Sequence, residues 1–329
     1  MRVSKEEQLI QKVLFSDLKF QKKDFEKINF EKIIKIASSH LIIPAFYYRL
    51  KIKKQLKFFP KDFIKYIKYI YETNKSRNKI LIKEIKKLSK ILKEQKINHV
   101  FLKGSAMIIG GYYNCIGERM IGDIDFLFDI SEITKLKESL KKMGYYSKLD
   151  FDLSFERHLP RLINKKCLFA IEPHKRLFNQ FNITEMSIVN KCEKNEVFMQ
   201  NLEYLLKNNI LNYQINDNGY KKFSYSYRNL YDTYTISNNL KPENIKINSK
   251  FENRYFIVSN ELGVDFNTSI KTGVFEQIIM FFIFRINFMY VIYIISVQTT
   301  LRFKKNLLKI QEFFSNQNYR KHVLKKFSL

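Results

Sequence analysis

Proline and glycine are scarce in this chain, five and nine among 329 residues. So few turn-formers argue against a loop-rich β protein and for helices joined by short connections. Cysteine is scarcer still. Cys115, Cys167 and Cys192 are an odd number without paired spacing, which argues against a disulfide framework and a cysteine zinc site and makes a reducing cytoplasm the default compartment. The N-terminal stretch MRVSKEEQLIQKVLF lacks the apolar centre of a signal peptide. Internal repeats and low-complexity linkers are missing as well. Acidic residues are in deficit, 32 against 59 basic ones, for a formal charge of +27. A polyanionic partner, nucleic acid or an anionic membrane surface, is one reading of that excess. Composition is the other, and the pattern favours it. Only 12 of the basic residues are arginine, and the lysines are scattered among plentiful Ile, Asn, Phe and Tyr instead of gathered in one block.

What the chain has in quantity is apolar and aromatic residues, 45% and 15%, enough for a sizeable core and against disorder. Residues 1–77 read as helical. Leu9, Ile10, Val13 and Leu14 fall at helical spacing, as do Ile33, Ile34 and Ile36. SSHLIIPAFYYRLK (38–51) reads as a helix end, a turn at Pro44 and a new start. The amphipathic NKILIKEIKKLSKILKEQ (78–95) puts Ile80, Leu81, Ile85, Leu88 and Leu92 on one stripe. Then the period changes. INHVFLKG (97–104) predicts a buried strand, SAMIIGGYY a helix, and IDFLFDI (124–130) a second strand. SEITKLKESLKKMG predicts a helix capped by Ser131 and closed at Gly144. CLFAIEPH (167–174) predicts a further strand stopped by Pro173, and helical patterns return from about Thr184. The expected class is α+β, with a helical N-terminal region (1–77), a core with a small mixed β-sheet (78–183) and a helical C-terminal region (184–329).

The chemistry concentrates in FLKGSAMIIGGYYNCIGERMIGDIDFLFDI, residues 101–130. Side chains alternate across a strand, so Asp123 and Asp125 share one face and Ile124 and Phe126 the other. Two carboxylates side by side in an apolar setting repel one another and lose hydration. A divalent cation relieves both costs, and aspartate oxygens suit Mg2+ or Mn2+. Upstream, a strand ending at Gly104 and leading into a helix offers free backbone N–H groups to a phosphate, and the Ser105 hydroxyl can add a hydrogen bond. Lys103 and Arg119 flank this place, available either to phosphate oxygens or to an ion pair. A phosphate cradle beside metal-holding carboxylates is the equipment for transfer from a nucleoside triphosphate such as ATP.

These residues resemble the nucleotidyltransferase superfamily of the DNA polymerase β type, whose pattern is Gly-Ser, a helix, then Asp-x-Asp on the next strand. More narrowly, the chain resembles the bacterial uncharacterised nucleotidyltransferase family. The matching residues are Leu102-Lys103-Gly104 and Arg119-Met120-Ile121-Gly122-Asp123-Ile124-Asp125-Phe126, with flanking likeness in SSHLIIPAFYYRL, IEPH and YRNLYDTYTI. The resemblance covers about residues 38 to 240. It implies a polymerase β-like core and metal-dependent transfer of a nucleoside monophosphate from a triphosphate to an acceptor hydroxyl. It also implies a third carboxylate two positions before a histidine, which here is Glu172 before His174. The family more often has aspartate there, a spacer other than proline, and an aromatic residue where this chain has Lys175. Asp123, Asp125 and Glu172 are thus the expected catalytic and metal-holding set, Glu172 as third ligand or general base. Lys103, Gly104, Ser105 and Arg119 are the expected nucleotide contacts. His174 is expected to orient Glu172 or touch substrate, and Asp232 to make a polar packing contact.

The acceptor is open: a small molecule, a sugar, a protein side chain or a nucleic-acid end. Two rival readings stand beside the main one. A sugar-nucleotide glycosyltransferase also uses Asp-x-Asp, but after a longer nucleotide-binding α/β unit; a degraded nucleotidyltransferase fold used only for binding would not need every central acid. The run IIMFFIFRINFMYVIYIISV (278–297) is long enough to span a bilayer, yet Arg285 and Asn287 near its middle make that costly. A buried helix in which Arg285 meets an acid explains it as well. Peripheral membrane contact through this run, aided by the lysines from Lys304 onward, is the alternative.

Overall fold

The apolar runs around Gly104 and the two aspartates lie at the centre of a seven-stranded mixed sheet, ordered β3-β4-β5-β2-β1-β7-β6. The computed structural model describes residues 3–17, 21, 25, 27–178, 191–241, 249–266 and 287–327. The strands are β1 His99–Phe101, β2 Asp123–Phe128, β3 Tyr146–Ser147, β4 Leu162–Ile163, β5 Ala170–His174, β6 Lys191–Lys194 and β7 Val197–Gln200. β2 is antiparallel to β1 and parallel to β5, with Asp125 opposite Glu172. The expected strand at 167–174 runs through Pro173 to His174 instead of stopping there. The helical reading from Thr184 is also corrected. Lys191–Lys194 and Val197–Gln200 form a hairpin turning at Asn195 and Glu196, both with positive φ, and β7 joins the sheet parallel to β1.

Among the described residues four α-helices precede the sheet: α1 Lys5–Phe15, α2 Phe30–Ser39, α3 Ile43–Ile52 and α4 Lys61–Glu94. A reciprocal Ser4–Glu7 capping box starts α1, whose stripe Leu9, Ile10, Val13 and Leu14 is buried. Pro44 sits in the first turn of α3, where its missing N–H is not needed. α4 is far longer than the stretch 78–95 and crosses position 77 without a break. Leu81, Ile85, Leu88 and Leu92 are fully buried along it. Ile80, one residue off that stripe, is exposed. Within the core, α5 spans Lys103–Ile109 and α6 Ile133–Lys142. Ser131 does not cap α6; it belongs to a short turn in which Asp129 accepts from the Ser131 N–H, while Gly144 closes the helix end with φ +88°.

After the sheet come α7 Leu202–Leu211, extended by a π-helical turn at Asn212–Asn216, then α8 Gly219–Lys222, α9 Tyr227–Ser237 and α10 Lys250–Glu261. Last are α11 Asn287–Ser315 and α12 Gln317–Phe327. Strand alternation divides the packing. Ile124, Phe126 and Phe128 pack with α4 and α6 on one face of the sheet. Val100, Leu102 and Leu127 pack on the other with Leu177, Leu211 and Ile215. The N-terminal helices and α7, α9 and α10 share a third, larger cluster.

Of the run 278–297, residues up to 286, Arg285 included, lie outside the described residues. The remainder opens α11 with Phe288, Val291 and Ile295 exposed, so this part is not the buried helix expected. Among the described residues no helix is long and apolar enough to cross a membrane.

Candidate active site

The parallel register of β2 and β5 sets the site. Asp123 and Asp125 lie on the face of β2 away from Ile124 and Phe126, and Glu172 and His174 lie on the matching face of β5. One ligand atom each from Asp125, Glu172 and His174 falls within a 4.8 Å cluster. Asp123 stands one step along the strand, partly exposed, with Arg161 Nη2 4.0 Å from its carboxylate.

The two aspartates are in opposite electrostatic states. Burial, then the charges of Asp125 and Glu172, raise Asp123 from 3.8 to about 6. Burial would raise Asp125 too, but the Lys103 ammonium at 2.5 Å and the His174 imidazole at 2.8 Å hold it well below the usual carboxylate range. His174 is buried and neutral. Burial, then the Lys103 charge, lower it from 6.5 to about 3. Its tautomer follows from its partners. Arg157 Nη1 lies 3.0 Å from Nδ1 and can only donate, so Nδ1 accepts and the Nε2–H donates to Asp125. His174 therefore orients Asp125, and not Glu172 as the acid-x-His spacing suggested.

Lys103 opens α5 with φ +50°, a left-handed conformation that a lysine side chain disfavours. The first intrahelical bond of α5 is Ala106 N to Leu102 O, so the N–H groups of Lys103, Gly104 and Ser105 precede the ladder. What the missing side chain of Gly104 makes room for is Ile121, whose Cγ1 would lie 3.0 Å from a Cβ there. Ser105 is fully buried, and its hydroxyl has no hydrogen-bond partner among the described residues.

Arg119, one of the expected nucleotide contacts, is engaged by another part of the fold. Its buried guanidinium donates through Nε to both Asp232 oxygens at 2.9 Å, and Tyr113 donates to the same carboxylate at 2.6 Å. Asp232 is thus the polar packing contact expected of it, with Arg119 as its partner. The loop between α5 and β2 is held from the other side by α4. Asn74 donates to the carbonyls of Gly117 and Arg119, and Asn78 to those of Ile116 and Arg119. Sequence reasoning missed Arg157, which sits in a stretch without periodicity and reaches the site only through the tertiary fold. It also missed Asn74 and Asn78, although two polar residues four apart within a helix's buried stripe were a readable signal.

A mixed sheet that gathers carboxylates on one face, next to a helix start, is a layout suited to phosphate chemistry. Over residues 26–249 the chain matches the uncharacterised nucleotidyltransferase family. It belongs to that family. The matched stretch holds the whole sheet and every residue of the site, and ends just before α10. No curated protein matches the chain.

Proposed function

We propose that the protein transfers a nucleoside monophosphate from a nucleoside triphosphate to an acceptor hydroxyl, with pyrophosphate released, and that its core is of the polymerase β type. The observation that carries this reading is the gathering of Asp125, Glu172 and His174 within 4.8 Å, with Asp123 beside them. The donor set suits a hard divalent cation, Mg2+ or Mn2+. Both nitrogens of His174 already face protein partners, which leaves Asp123, Asp125 and Glu172 to hold the ion. The raised Asp123 supports the same fit, because repulsion from Asp125 and Glu172 is what a cation would remove.

When bound, the ion neutralises charge on the triphosphate and acidifies the acceptor hydroxyl. The chain's own residues do the rest. Lys103 and the leading N–H groups of α5 at Gly104 and Ser105 bind phosphate oxygens. His174, steadied by Arg157, fixes the rotamer of Asp125. Glu172, which makes no hydrogen bond or ion pair with a described residue, is the third ligand or takes the acceptor's proton. Arg119 has no nucleotide role in this reading. It holds the loop that delivers β2.

The test is label transfer from α-labelled nucleoside triphosphates into cell extract, with Mg2+ or Mn2+, by purified full-length protein. Glu172→Gln and Asp123→Asn should each lower transfer by roughly a thousandfold while the melting midpoint stays at or above that of the wild type. Wild-type rates in both variants at saturating metal would refute the assignment.

A further inference from the structure

Beside the carboxylate site, α11 closes a cavity of about 400 Å3 against the loop before β4, the end of β5 and the π-turn after α7. Four cationic side chains line it: Arg176, Lys221, Lys304 and Lys305. Among the described lining residues the only carboxylate is Glu156, 3.4 Å from Lys305, which leaves a strong positive excess. Phe155, Ile215, Leu301 and Leu308 supply apolar wall. The α11 contribution is one helical stripe, since 301, 304, 305 and 308 recur at three and four residues. That stripe is set in place. Tyr293 on α11 donates to the Lys221 carbonyl at 2.5 Å, and Glu312 accepts from Ser154 at 2.6 Å. Arg176 is held too, by donation to the Phe155 carbonyl at 2.8 Å. Burial, then the Lys304 charge, lowers Lys221 below its ordinary value, as expected of like charges brought together.

The cavity lining is joined to the carboxylate site through Arg157. Phe155 and Glu156 lead directly into Arg157, whose guanidinium meets His174, and the Arg176 N–H donates to the Arg157 carbonyl at 3.1 Å. On the other side Asp217, between the lining residues Asn216 and Asn218, feels the charges of Arg157 and Lys103. The family match ends at 249, so Leu301, Lys304, Lys305 and Leu308 come from beyond it.

We infer that this cavity binds the acceptor, and that the acceptor is a small molecule carrying a phosphate group on an apolar or aromatic body. Clustered cations answer a phosphate, the apolar walls answer the body, and the volume lies within the roughly 300–1,000 Å3 of small-molecule sites. The acceptor role rests on the transfer reaction proposed above; the phosphate site itself does not.

Full-length protein without nucleotide or metal is titrated by calorimetry with phenyl phosphate, phenol and a 5′-phosphorylated hexanucleotide. Phenyl phosphate should bind, phenol should not, and the hexanucleotide should bind no tighter than phenyl phosphate. Lys304→Glu and Lys221→Gln should each weaken phenyl phosphate by about tenfold or more, with Lys304→Gln replacing the reversal if Lys304→Glu fails to fold. The site is overturned by no binding to the wild type, or by equal binding to the variants. A hexanucleotide bound about tenfold tighter and equally dependent on Lys304 overturns the small-molecule assignment in favour of a nucleic-acid end. Phenyl phosphate should also inhibit label transfer. Binding without inhibition overturns the acceptor role. If the wild type transfers no label yet binds phenyl phosphate through Lys304, the reaction fails and the phosphate site stands.

Discussion

Asp125 accepts from Lys103 and His174, while Asp123, two residues away, has among the described residues only the distant Arg161. The cost of the site therefore falls on Asp123. Its folded value, about 6, lies above the ordinary 3.8, so the folded state holds the proton more tightly than the unfolded one. Stability contributed by that proton is present below about pH 4 and lost as the pH rises through 6. Asp123→Asn removes the penalty. Without metal it should stabilise the protein at pH 7.5 by about 1–2 kcal/mol and have little effect at pH 4, as urea midpoints at the two pH values would show. An Asp123→Asn protein less stable than the wild type at pH 7.5 would contradict the repulsion argument.

His99 shows the opposite sign at a place remote from chemistry. It is fully buried on β1, its Nδ1–H donates to the Ile97 carbonyl at 2.7 Å, and its Nε2 has no partner among the described residues. Burial lowers it from 6.5 to about 4. The unfolded chain thus binds a proton that the folded one refuses, and stability falls as pH drops from 6.5 towards 4, by up to about 3 kcal/mol. His99→Phe, packed beside Phe101 and Phe198, should lose that part of the acid sensitivity. An unchanged fall in melting midpoint between pH 7 and pH 5 would show that the sensitivity comes from elsewhere.

Among the elements, α4 does two jobs with one periodicity. Phe63, Ile67 and Tyr71 enter the cluster of the N-terminal helices, and Leu81, Ile85, Leu88 and Leu92 enter the core under the sheet. Between them Asn74 and Asn78 replace apolar residues on the same stripe and hold carbonyls of the loop before β2. Asn78→Ala would leave the carbonyl of Ile116 without this donor and that of Arg119 with Asn74 alone, in a buried setting. A loss of about 2 kcal/mol in urea unfolding is expected, together with slower transfer because the loop positions Asp123. Unaltered stability would mean that water satisfies these carbonyls as well as Asn78 does.

At the scale of the whole molecule, helices from both ends of the chain pack in one cluster with residues of the core such as Met107 and Met199. The buried Arg119–Asp232 pair ties the loop before β2 to α9 at the centre of that arrangement. Removing one partner strands a buried charge. Asp232→Leu should cost about 3–5 kcal/mol, while Arg119→Met with Asp232→Leu should recover much of it, since neither charge then remains. Calorimetry of the two variants decides. A double variant no more stable than Asp232→Leu would show that the pair contributes more than charge compensation, through Tyr113 for example.

Local pattern was enough for the elements at the heart of the site. Strand alternation put Asp123 and Asp125 on one face, and helical periodicity marked the buried stripes of α1 and α4, because both depend on neighbours a few residues apart. The hairpin of β6 and β7 escaped the reading. Its strands are four residues each, and its turn uses Asn195 and Glu196 without a glycine. The partners of each charge were decided by the tertiary structure alone. Arg119 meets Asp232 across 113 residues, Lys103 meets Asp125 across 22, and Arg157 reaches His174 from an irregular loop. Spacing along the chain carries no information about such distances. A buried charge takes whichever opposite charge the packed helices and sheet bring within reach, and that choice exists only once the chain has folded.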